Sequence, residues 1–266
     1  MSTPTGSSNA ELFNYRPITD EQVDVYSREG YLRLGHTLTD VGLALIRQQC
    51  MQAWASEKGE FDDRQTWLHN ALLVNIHRYS DIARRYFFEG PLVDVAEKLV
   101  NPNIKATSSQ LTFKLRGNNQ SFAWHQDSGY GQLDPDNSMT TLTALDDTDE
   151  ENGCLWIVPG SPARGRIDVK YTLEEKQAKK EIRLDVDESE ARPAPLKAGE
   201  CLVFHNWMLH KSGGNRSPDR DRRLLFLRYA DADAVEVYNE GKPRLGKLLR
   251  GQTRFAQVAS YEAELA

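Results

Sequence analysis

Phe122-Ala123-Trp124-His125-Gln126-Asp127 is the stretch on which the reading of this chain turns. It sets an imidazole and a carboxylate two residues apart, and on an extended strand residues i and i+2 project from the same face. His125 and Asp127 therefore aim at one point. Two histidines and one carboxylate in a facial set are the donors that hold non-haem Fe(II) while leaving positions open for other ligands. The pair thus asks for a third donor, a histidine far along the chain. A surface histidine beside an acid gives the same triplet, so the rest of the sequence has to decide.

With 266 residues the chain suits one large domain with a real core. Its net charge of -6 and the lack of a basic stretch speak against nucleic acid or an anionic membrane as partner. Mean hydropathy is -0.62, and no apolar run of about 18 residues occurs, so no transmembrane helix is expected. The opening MSTPTGSSNA has no basic region followed by an apolar one; it does not read as a secretory signal, and residues 1–15 are expected to be a disordered tail. Cys50, Cys154 and Cys201 are odd in number, far apart and set in apolar sequence, which suits a reducing, cytoplasmic location.

Upstream of the opening stretch the grammar is helical. Thr19-Asp20-Glu21-Gln22 starts a capped helix that ends near Gly30, and Tyr31 to Leu34 alternates like a strand. Leu38 to Ala55 repeats apolar residues at helical spacing, and shorter helical patterns cover 79–88 and 91–100. From Ile104 on, short β-rich runs take over: Thr107 to Leu115, Ser121 to His125, Met139 to Leu145, Cys154 to Val158, Glu200 to Phe204, Trp207 to Lys211 and Arg223 to Tyr229. Such runs, punctuated by Gly, Pro and Asn, predict an antiparallel sandwich or barrel. Asn152-Gly153 between two apolar runs predicts a tight hairpin turn, and Pro159-Gly160-Ser161-Pro162 ends the following strand. Residues 163–195 are charge-rich, a long insertion expected to act as a mobile lid.

Two histidines compete to be the distal donor. His205 follows an apolar strand and precedes a bend, whereas His210 sits on the next short strand with Ser212 on its face. Strand geometry favours His210 only modestly, and both remain open on these grounds. Asp146 and Asp147 close a strand before a polar turn and read as turn and edge residues rather than an acid–base pair. Trp124 should face away from the point at which His125 aims.

Trp124-His125-Gln126-Asp127, Ala144-Leu145-Asp146-Asp147, Glu151-Asn152-Gly153-Cys154-Leu155 with Pro159-Gly160-Ser161, and Phe204-His205 with His210-Lys211-Ser212-Gly213-Gly214-Asn215 follow one another in an order that strongly resembles the phytanoyl-CoA dioxygenase family. The resemblance runs from about Thr19 to Tyr229. It implies a double-stranded β-helix, or jelly-roll, core over about 104–230 with helices over about 19–100, in a single domain spanning 16–266. The activity it implies is that of an Fe(II)- and 2-oxoglutarate-dependent dioxygenase that uses O2 to hydroxylate, or otherwise oxidise, a small molecule.

By the same resemblance His125, Asp127 and His210 are the iron ligands and His205 is not. An arginine of Asp221-Arg222-Arg223-Leu224 binds the distal carboxylate of 2-oxoglutarate, as a guanidinium fork suits a carboxylate. The segment before the arginines is one residue longer than the family pattern, so Arg220 and Arg223 compete with Arg222; Arg222 is chosen because it lies seven residues before Tyr229. Ser212 and Gln110 are implied cosubstrate contacts, with Lys114 a weaker one. Pro162 and Thr141-Leu142-Thr143 depart from the family pattern, which leaves any cosubstrate contact from Leu142 in question. A metal-binding protein without activity, or a cupin-like metalloenzyme without 2-oxoglutarate, are the rival readings. Substrate choice would lie in Glu60 to Asn75, Ser128 to Asn137 and 163–195, and the sequence does not name the substrate.

Overall fold

The structure is a computed structural model in which residues 7–58, 71–169, 174 and 181–265 are described. Its N-terminal helices start where short polar side chains can satisfy free backbone N–H groups. In α1 (Asn9–Leu12), Ser8 and Glu11 form a capping box. In α2 (Asp20–Glu29), Gln22 N–H donates to Thr19 Oγ1 while Thr19 N–H donates to Gln22 Oε1; the helix stops at Gly30, at φ 77°, a left-handed conformation that glycine adopts without strain. Thr39 caps α3 (Asp40–Glu57), Ser80 caps α4 (Asp81–Phe88), and Pro91 opens α5 (Pro91–Leu99).

These helices cover one face of a large sheet. It runs β1 (Tyr31–His36), β9 (Glu200–His205), β6 (Met139–Ala144), β11 (Arg222–Asp231), β3 (Ile104–Lys114), β14 (Lys247–Arg250), with β2 (Leu72–Val74) also on β3. A smaller sheet, β4 (Phe122–His125), β10 (His210–Ser212), β7 (Leu155–Ile157), β8 (Arg192–Ala194), packs on the other face. All pairings are antiparallel. A third small sheet joins β5 (Leu133–Asp134), β12 (Val235–Glu236) and β13 (Lys242–Pro243).

Strand alternation sorts the core. Along β11, Leu225, Leu227 and Tyr229 pack against the helices with Ile46, Phe87 and Leu92, while Leu224 joins Leu142, Leu155, Ile157 and Phe204 between the sheets. Each such fully buried side chain contributes about 1.5–3 kcal/mol of hydrophobic stabilisation. Sandwich, helical cover and strand content are those of the expected jelly roll. The thiols of Cys50, Cys154 and Cys201 are free and buried, and burial pushes them up to about 12, 11 and 12.

Four expectations need correction or refinement. Disorder over 1–15 fails from Asn9 onward: Leu12 and Phe13 are buried in the helical core, Phe13 bridges Leu38, and its ring lies 5.2 Å from that of Tyr86. Composition weighed the polar opening and overlooked this apolar pair just after it. Nor do Asn152 and Gly153 turn a hairpin, because β6 and β7 belong to different sheets and do not pair. Asn152 instead ties down a crossing loop, its side chain accepting from Asp149 N–H and donating to Asp147 O. Gly153, at φ 81°, leaves room for a close approach, since a Cβ there would stand 2.4 Å from Gly213 O.

The strand expected over Trp207 to Lys211 begins only at His210, because Met208 N–H turns back to His205 O at 2.8 Å. Both ends of the 163–195 insertion are docked. Leu184 N–H donates to Trp124 O, Glu188 accepts from the Trp124 indole and from Lys211, and Ile182 is 4 % exposed. Residues 170–173 and 175–180 of the expected lid, and 60–70 of the expected loop, lie outside the described residues.

Candidate active site

His125 is the last residue of β4, and His210, the first of β10, is its direct cross-strand partner. Asp127 follows two residues later in the 3₁₀ turn Asp127–Tyr130. Antiparallel pairing thus joins what the sequence separates by 85 positions, and the two imidazole rings stand 4.1 Å apart. The donor atoms of His125, Asp127 and His210 all lie within 4.8 Å of one another. Asp127 Oδ1 is 3.9 Å from His125 Nε2 and 3.8 Å from His210 Nε2.

Backbone carbonyls set the histidine tautomers. His125 Nδ1 meets Ala123 O and His210 Nδ1 meets Met208 O, each at 2.8 Å. A carbonyl only accepts, so each Nδ1 carries the proton and each Nε2 offers its lone pair toward Asp127. Burial, then neighbouring His210, pushes His125 down to about 3, and burial also lowers His210, so both are neutral donors near pH 7. Burial alone would raise the Asp127 carboxyl; Arg228, both histidines and the Thr140 hydroxyl outweigh it and hold it at about 2. Thr140 Oγ1 donates to Asp127 Oδ2 at 2.6 Å, and Arg228 Nη2 to Oδ1 at 2.5 Å. Two neutral imidazoles and an ionised carboxylate, preset and buried, fit a divalent cation such as Fe(II).

One cavity joins these donors to Gln110, Ser212 and Arg222. Arg222, 1 % exposed, stands opposite Lys114 in the β11–β3 register. Its Nη1 donates to Gly153 O at 2.7 Å, its Nε is buried without a partner, and burial lowers it to about 10. Lys114 Nζ donates to Ser212 Oγ at 2.9 Å and Gly213 O at 2.6 Å; burial, then Arg222, push it well below the usual lysine range. Arg222 and the Lys114 amine, buried beside a cavity whose only lining carboxylate among the described residues is Asp127, suit an anion. Gln110 lines it and donates weakly to Ser108, at 3.4 Å.

The competing residues are engaged elsewhere. Arg223 points to the helical side and grips Asp146 through Nε at 2.6 Å and Nη2 at 2.5 Å, while Arg220 pairs with Asp149 and Glu151. Asp147 accepts from Lys197 and from Ala198 N–H, so both aspartates act at a turn and an edge. His205 stands outside the donor cluster: its Nδ1 accepts from Trp207 N–H and burial lowers it to about 4. Leu142 is spent in the core between the sheets. Thr140 and Arg228 were missed by the sequence reading, although Arg222, Leu224, Phe226 and Arg228 share a face by strict alternation.

The sequence pattern of the family described as Phytanoyl-CoA dioxygenase (PhyH) matches residues 26–224. Methylphosphonate hydroxylase of Gimesia maris is 26% identical over 85% of this chain and 87% of its own. L-proline trans-4-hydroxylase of Streptomyces griseoviridis is 27% identical over 80% and 86%. Among solved structures, the non-heme alpha ketoglutarate dependent carbocyclase SnoK from nogalamycin biosynthesis overlays with a TM-score of 0.69 at 20% identity, covering 88% of this chain and 95% of that one, a likeness of fold.

Proposed function

The chain belongs to the phytanoyl-CoA dioxygenase family and is an Fe(II)- and 2-oxoglutarate-dependent oxygenase of a small molecule, and from that premise we propose that His125, Asp127 and His210 hold the iron while Arg222 anchors the cosubstrate. One observation carries this assignment. A preset facial donor set and a buried guanidinium with an unpartnered Nε line the same cavity. Iron and 2-oxoglutarate, when bound, supply oxygen activation, with succinate and CO2 as the cosubstrate's products.

The chain's own groups prepare the site. Carbonyls of Ala123 and Met208 keep both Nε2 atoms deprotonated, and Thr140 and Arg228 keep Asp127 ionised and fixed. Arg222 and Lys114 neutralise a carboxylate in a space water hardly reaches, with Ser212 and Gln110 beside them. Described parts of the segment 163–195 lie against the site. Ile167 N–H donates to Gln126 Oε1, between two iron ligands in sequence, and Ile182 N–H to Tyr130 OH, whose ring packs on His125. The described residues from Asn9 onward act as one domain, in a compartment reducing enough for three free thiols. The names of the two relatives, a methylphosphonate and an L-proline hydroxylase, support a small, polar substrate for this chain as well.

Anaerobic titration of Fe(II) and 2-oxoglutarate into the protein tests the assignment through the absorption of the joint complex. The wild type and His205→Ala should form it, and His125→Ala and His210→Ala should lose most of their iron affinity. Iron retained by His210→Ala and lost by His205→Ala would overturn the choice of distal ligand.

A further inference from the structure

Next to the donor cluster opens a cleft of about 320 Å³, at the small end of the roughly 300–1,000 Å³ range of ligand pockets. Among the described residues Asp127 is its only lining carboxylate, and that group is already committed to Thr140 and Arg228. Two guanidiniums line it as well, Arg228 and Arg244. Each is fixed from behind by an acid: Arg228 Nη2 on Asp127 Oδ1, and Arg244 Nη1 on Glu236 Oε1 at 2.8 Å. A guanidinium carries five N–H donors, and these contacts use a minority of them.

Among the described lining residues two guanidiniums stand against one carboxylate, in a protein whose net charge is -6, so this gathering of arginines is a local feature and does not follow from overall composition. Two more lining residues hold buried polar atoms without partners, the Ser128 hydroxyl and Asn206 Oδ1. The former can donate to an oxyanion, and the latter accepts from a hydroxyl or amine. A buried polar atom left unpaired is costly, so such pairs mark where ligand polar groups belong.

Resting on the oxygenase reading above, we propose that the substrate is a small organic acid, carboxylic or phosphonic, bearing a hydroxyl or amino group, whose anionic end is held by Arg228 and Arg244. Arg228 ties the acid to the metal side of the cleft through Asp127, and so also acts as a positioning residue. Arg244 touches no iron ligand, and its role is specificity alone.

The test is calorimetric, on protein loaded without oxygen with Fe(II) and saturating 2-oxoglutarate so that the Arg222 site is filled. The probes are L-proline, 2-aminoethylphosphonate and lactate, each beside a counterpart whose acid group is made neutral: L-prolinamide, the dimethyl ester of 2-aminoethylphosphonate and lactamide. At least one acid should bind ten or more times tighter than its neutral partner; Arg244→Gln should erase that preference, and Arg244→Lys should restore part of it. Cosubstrate absorption should be the same in all three proteins, which also shows that the variants are folded. Neutral probes that bind as well as the acids, no binding by any acid, or a preference that survives Arg244→Gln would each overturn the proposal. Failure of the Fe(II) and 2-oxoglutarate absorption to form in the wild type would instead sink the oxygenase reading, and acid preference in the protein as purified, with its loss in Arg244→Gln, would still decide the clamp.

Discussion

Two adjacent arginines, alike in sequence, face opposite sides of one strand, and their removal should have different consequences. Arg222→Ala takes the guanidinium from a buried anion site; losing such a pair costs about 2–5 kcal/mol, so 2-oxoglutarate should bind roughly 30- to several-thousand-fold more weakly while iron still binds. Arg223→Ala should leave cosubstrate affinity unchanged and lower stability, because Asp146 loses both guanidinium hydrogen bonds and keeps only the one from the backbone N–H of residue 223. Equilibrium titration of 2-oxoglutarate into both variants checks this, and a weakened Arg223→Ala beside an intact Arg222→Ala would refute it. Which arginine faces inward follows from strand alternation once the strand start is known, and spacing to Tyr229 already pointed there. The Arg228 contact with Asp127 was not legible. It depends on the crossing of two sheets, which no local pattern reports. His125 and Asp127 stand out in the sequence because their relation is local, whereas the pairing of His210 with His125 depends on register.

At the level of elements, the C-terminal segment is clasped by one acid. Glu262 meets His77 Nε2 at 3.2 Å, accepts from Arg78 Nε at 2.8 Å, and its backbone carbonyl accepts from Lys247 Nζ at 2.9 Å. His77 in turn holds Ser109 of β3 at 2.6 Å and lies three residues past β2, which edges the cleft beside the donor cluster through Leu72 and Val74. Glu262→Ala strands a buried histidine, a loss of about 1–3 kcal/mol. The melting temperature should drop by about 2–4 °C per kcal/mol, with faster amide exchange in β2 than in β11. An unchanged melting curve would show that the clasp bears no load. The capped helices and the strands on either side of the site were readable from caps and alternation. β2, β14 and the β5–β12–β13 sheet were not, since strands of two to four residues carry too little pattern and owe their shape to neighbours. Asn152-Gly153 misled for a related reason: the dipeptide reports a turn, and only the sheets decide what it connects.

For the whole molecule, buried neutral histidines predict how stability responds to acid. Burial holds His205 at about 4, below its ordinary value near 6.5, so on acidification the unfolded chain takes up the proton first. Its contribution is fully present above pH 6.5 and is lost as pH falls toward 4, on the order of 2–3 kcal/mol. His205→Gln, with nothing to titrate there, should show a smaller fall in urea midpoint between pH 7 and pH 4.5 than the wild type; an equal fall would refute the assignment. The proposed iron ligands show a different kind of robustness. Each imidazole is oriented by a main-chain oxygen two residues earlier in the chain, and no codon change can delete a main-chain oxygen. Drift, or a library that randomises the walls around the site, can therefore rewrite what the enzyme accepts while the histidines keep their protonation pattern. Asp127, steadied by the replaceable side chains of Thr140 and Arg228, is the one of the three proposed donors whose setting such a search can spoil.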